Sequence, residues 1–130
     1  MTTIPADAVL RLREALYGQL GDIAEELASL VRTPGHERHT EWSEPVARFD
    51  RTRALLDEIG WNEPDPEQRA EIDLDQHRQV IVAALSDQLE SERYLMAEQG
   101  PAAEQQRQRA YARALTIETF MAAAGLDGDE

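Results

Sequence analysis

Residues 73–92 read DLDQHRQVIVAALSDQLESE and contain the longest apolar run in the chain, VIVAAL at 80–85. Leu74, Ile81 and Leu85, continued by Leu95 and Met96, fall on one side of a helix at about 100° per residue. Asp73 stands three residues before Gln76, the spacing of a capping pair, so the helix is expected to start at Leu74. It is expected to run to about residue 98. Polar residues recur on this apolar side. Glu92 falls near its centre, and His77 and Gln88 near one edge. His77 and Glu92 are fifteen residues apart, about 22 Å along a helix axis, so they cannot share one binding site. The stretch therefore reads as a core helix with polar residues at two separate levels.

Working towards the N-terminus, residues 60–72 form a long connection, GWNEPDPEQRAEI, which is either functional or a lid on the core. A helical turn is expected near 66–69. Ala70, Ile72 and Leu74 alternate with charged residues and predict extended chain laid against the helices. A second helix is expected over 41–59, starting there so that Pro45 falls in its first turn. Its apolar stripe is read as Trp42, Val46, Phe49 and Leu56, with Arg53 inside it and Leu55 and Ile59 broadening the face. The first helix is expected over 5–32. Val9, Leu12, Leu16, Leu20, Ile23, Leu27 and Val31 make its stripe, and Arg13 lies within it. Gly18 and Gly21 are read as places of close helix approach.

Towards the C-terminus, Gly100-Pro101 makes a tight turn into a fourth helix over 102–124. A link so short makes the third and fourth helices antiparallel neighbours. The apolar face of the fourth is thin: Ala103, Ala110, Ala114, Ile117, Met121 and Ala124. The fold expected is all-α, a four-helix, mostly antiparallel bundle over 1–124, with a frayed acidic tail over 125–130.

Composition narrows the function. The 13 basic residues are all Arg, against 26 acidic ones, for a net charge of −13. Such a field repels phosphates, so neither nucleic acid nor an anionic membrane is an expected partner. Without Lys there is no Schiff-base amine and no phosphate-loop lysine. Without Cys there are no disulfides and no zinc–thiolate sites, which fits a reducing, cytoplasmic location. The N-terminus has no basic start followed by an apolar segment, and no stretch approaches the roughly 18 apolar residues of a membrane span.

Helix levels estimated from the turns suggest two polar layers. The first would gather Arg13, Arg53, His77 and Glu118, where Arg forks and an imidazole suit an anion. The alternative is that these residues are ion pairs at the rim, their stems packed on the core. The second would bring Glu92 and Gln88 near the loop carrying His36 and His39. A metal there would call for Glu-x-x-His pairs or His-Glu-x-x-His, and neither occurs, so no metal and no cofactor is expected. No serine sits in a nucleophile elbow, and no catalytic residue is assigned. Trp42 and Trp61 flank the second helix and are candidate anchors for a partner, though each also suits the edge of the core. Tyr17, Tyr94 and Tyr111 read as core borders with hydroxyls reaching water.

The expected function is a small, acidic, non-enzymatic protein-interaction module of bacterial type: an adaptor, inhibitor or regulatory subunit. One alternative is a bundle that binds a small anion or a metal. Another is a structural homo-oligomer packed through the fourth helix.

Overall fold

The computed structural model describes residues 1–32, 39–61 and 69–126, and for residues 39–41 the backbone alone. Strand β1 (Thr2–Ile4) leads into α1 (Ala6–Arg32), which is followed by α2 (His39–Ile59). Strand β2 (Ala70–Ile72) leads into α3 (Leu74–Met96), and a 3₁₀ turn (Pro101–Ala103) opens α4 (Glu104–Ala123). The fold is all-α with four long helices among the described residues, and the long connection between α2 and α3 carries β2. None of these helices is long and apolar enough to cross a membrane.

The helices form two antiparallel hairpins. In the first, Arg13 of α1 meets Gly60 just past the end of α2, while Glu26, further along α1, meets Arg48 at the middle of α2. In the second, Arg78 and Glu92 of α3 meet Gly125 and Arg113 respectively. Helix α1 touches each of the other three, so its stripe of Val9, Leu12 and Leu16 lies at the centre of the core. The two hairpins are also joined by a ribbon that the helical periodicity did not predict. β1 pairs antiparallel with β2, Thr2 opposite Ile72 and Ile4 opposite Ala70. The alternation of strand side chains turns Ile4, Ala70 and Ile72 inward, and all three are buried in the common core. The extended chain expected at 70–72 is thus a strand.

The helix ends show why each element starts and stops where it does. The Asp73 side chain accepts from the Gln76 backbone N–H at 3.3 Å, the N-cap expected for α3. Gly125, with φ of +71°, closes α4: its N–H donates to Ala122 and the Leu126 N–H donates to Met121. This paired closure brings Leu126 back onto the core, where it is 2% exposed. The folded part therefore includes residues 125 and 126, which were expected to fray; residues 127–130 lie outside the described residues.

Four details of the sequence reading need correction. The buried stripe of α2 runs through Pro45, Thr52, Leu55, Leu56 and Ile59; the last three were expected, while Val46 and Arg53 are exposed. Pro45 and Thr52 face inward in place of Val46 and Arg53, and the buried Thr52 hydroxyl meets its own need by donating to Arg48 O at 2.8 Å. Pro45 is the seventh residue of α2, beyond the first turn. Gly18 and Gly21 are exposed, and a Cβ at either would meet nothing within 4 Å, so they ease no helix contact. Val31 is exposed as well, because no residue of α1 beyond Ile23 is buried. The turn expected at 66–69 falls almost wholly outside the described residues.

Candidate functional site

The C-terminus of α2 is where chemistry concentrates. The last turn of a helix presents unpaired carbonyls and the negative end of its dipole, which favour cations. Helix α2 has no basic residue in its last turn and instead carries Asp57 and Glu58 there. Other helices make up the deficit. Arg13 of α1, 4% exposed, donates from Nε to Gly60 O at 2.6 Å and from Nη2 to Ile59 O at 3.0 Å. His77 of α3, also 4% exposed, lies 2.6 Å through Nε2 from a Glu58 carboxylate oxygen. A carboxylate only accepts, which assigns the proton to Nε2. Two of the four residues of the expected first layer, Arg13 and His77, therefore do meet at one helix end. Their contacts are with backbone carbonyls and a carboxylate. The Arg13 Nη1 is buried and has no hydrogen-bond partner among the described residues.

The other two residues of that layer lie elsewhere. Arg53 is exposed, and Glu118, also exposed, pairs with Arg93 at 3.4 Å.

Gly60 leaves α2 with φ of +97°, and a Cβ there would lie 3.4 Å from Arg13 Nη2. This turn carries the chain to Trp61, on the rim of the same helix end. Tyr17, one turn beyond Arg13 on α1, donates its hydroxyl to Trp61 O. The Trp61 indole N–H donates to Asp57 Oδ1 at 2.6 Å. The two ring centroids are 6.0 Å apart with planes inclined at 53°. Tyr17 is 44% exposed and Trp61 36%. Each ring is thus fixed by its own polar group while much of its surface faces solvent. Tyr17 was expected at the border of the core with its hydroxyl in water; the hydroxyl is instead a clamp on the backbone of Trp61. Trp42 is half-buried and nineteen positions from Trp61, about 28 Å by helical rise, so the two tryptophans do not form one patch.

The second polar level is an ion pair. Glu92, 1% exposed, receives Arg113 Nε at 2.7 Å and Nη2 at 2.9 Å, with Gln88 Nε2 at 3.0 Å. Burial pushes the Glu92 carboxyl up. Hydrogen bonds from Arg113 and Gln88, with the charges of Arg113 and Arg11, pull it further down, and the result lies below the ordinary 4.5. The same contact raises the Arg113 guanidinium, against a smaller opposing effect of burial. Glu92 and Gln88 are joined by Arg113, which the sequence reading did not single out. His36 and the side chain of His39 lie outside the described residues. Arg107 donates to Glu98 O at 2.8 Å and Gly100 O at 3.0 Å, tying down the turn before α4.

Among the described residues, no group of three His, Cys, Asp or Glu is placed to hold a metal ion. No protein-family model, curated protein or solved structure matches this chain.

Proposed function

We propose that this protein is a small acidic protein-interaction module, an adaptor, inhibitor or regulatory subunit, and that it docks through the Tyr17–Trp61 end of the bundle. The observation that carries this reading is the exposed, clamped aromatic pair. Rigid Trp and Tyr side chains give large contact areas at little entropic cost and dominate many binding surfaces. Their polar groups are already engaged inside the protein, so a partner that covers the rings leaves no donor stranded. A charge of −13 favours a basic or mixed partner and speeds its approach. The anion-binding alternative is less well supported, because Arg13 and His77 are engaged with α2 and Arg53 stands apart from them.

The test is native mass spectrometry of the protein purified gently from its host, beside the Trp61→Leu variant. The expected result is a bound protein with the wild type that is lost with the variant and released by salt. A bare 14.6 kDa species from the wild type would overturn the reading. A clean homodimer that Trp61→Leu leaves intact would overturn it too, and would direct attention to α4.

A further inference from the structure

We infer that Tyr17, Trp61 and Asp57 form a seat for one arginine or lysine side chain of the partner; this rests on the interaction reading above and gives its site a chemistry. The rings of Tyr and Trp carry negative charge on their faces and attract a cation within about 6 Å of the centroid, Trp most strongly. With centroids 6.0 Å apart, a cation about 5 Å from both lies about 4 Å off the line joining them, within reach of either ring. Planes inclined at 53° do not stack face to face, so neither ring covers the other.

The polar groups around the pair limit what else could bind. The Tyr17 hydroxyl points to Trp61 O and the indole N–H to Asp57, so no free donor on the rings invites an anion. What remains is π surface with a carboxylate beside it. Asp57 is exposed, and its second oxygen, Oδ2, can receive an ammonium or guanidinium that the rings attract. Arg13 lies one turn away on α1, but its charge is engaged by the Ile59 and Gly60 carbonyls, with Glu58 in the same last turn of α2. The overall charge of −13 brings basic segments to this surface and anionic ones away from it.

The probe is a blocked tripeptide, acetyl-Gly-Arg-Gly-amide, and its citrulline counterpart, which keeps the shape and lacks the charge. Both are titrated into the ¹⁵N-labelled full chain. The indole N–H signals of Trp42 and Trp61 are assigned with Trp42→Phe. The arginine peptide is expected to move the Trp61 signal to saturation and leave Trp42 in place. The citrulline peptide is expected to bind about three-fold more weakly, as loss of an exposed cation–π contact implies. Asp57→Asn, which keeps an acceptor for the indole, is expected to weaken the arginine peptide to a similar extent.

Equal binding of the two peptides, or no saturable shift at Trp61, overturns the seat. If the seat fails but a protein partner still depends on Trp61 in the mass-spectrometry test, the docking reading stands without it. If both fail, both fall.

Discussion

Arg13 on α1 donates to the carbonyl of Gly60 at 2.6 Å, so one helix supplies the terminal charge that its hairpin partner lacks. The guanidinium fork matters, because it reaches two successive carbonyls at once. Arg13→Ala is expected to destabilise the protein by about 3 kcal/mol, since it removes two charged hydrogen bonds and leaves the buried Ile59 carbonyl unmet. Arg13→Lys keeps the charge but not the fork, and should lose about half as much. Urea unfolding checks both: the midpoint should fall while the slope is retained.

Glu92 and Arg113 give a pH-dependent contribution whose sign is set by the lowered Glu92 carboxyl. Its folded value lies below the ordinary 4.5, so its stabilisation is fully present above that value and is lost as pH falls through the folded one. The stability gap between wild type and Glu92→Gln should therefore shrink as pH is lowered below 4.5. Chemical denaturation at a series of pH values reads this directly, and a gap that widened on acidification would refute it.

The same pair should respond asymmetrically to substitution. Arg113→Leu leaves a buried carboxylate without its cation and is expected to cost about 3 kcal/mol. Adding Glu92→Leu should restore most of that loss, because an apolar pair fits a buried position without a desolvation penalty. Thermal melts of the two singles and the double form the cycle.

Three glycines should divide by conformation. Gly60→Ala places a Cβ at φ of +97° and 3.4 Å from Arg13 Nη2, and is expected to lose about 1 kcal/mol or more. Gly18→Ala and Gly21→Ala replace glycine within an exposed stretch of helix with open space around it, and each should gain about 0.5–1 kcal/mol. Unfolding midpoints of opposite sign would confirm the division.

Leu126 marks where the fold ends. Leu126→Ala is expected to cost about 2–3 kcal/mol, as for other buried leucines, which a residue in a frayed tail would not. Differential scanning calorimetry would show the lowered melting temperature.

These residues also show how much could be read in advance. The four helices were legible because apolar residues at spacings of three and four bury one face of a helix whatever it packs against. The Asp73 cap was legible because it is local. The α2 stripe was misread by one position because Val46 and Arg53 continue the spacing as well as Pro45 and Thr52 do, and only the packed partner chooses between them. Glu92 at the centre of an apolar face signalled a missing cation, but Arg113 stands beside the buried stripe of α4 and is identified only by the crossing of two helices. Arg13 was visible as a charge on an apolar face. Its carbonyl partners were not, because a helix end without a cation of its own shows its need only when another helix is brought to it. The strand at Thr2–Ile4 is three residues long and has its partner far along the chain, beyond the reach of any local pattern.

That last pairing has a bearing on the order of folding. Each helical hairpin closes a short loop, whereas Thr2 meets Ile72 only after about 70 residues of chain have been gathered in, at a higher entropic cost. The ribbon is therefore expected to form late, as a clasp between two hairpins that have already met. Ile4 and Ile72 complete the core at that step, so early intermediates would hold the helices without the clasp and expose the apolar surface those two residues later cover.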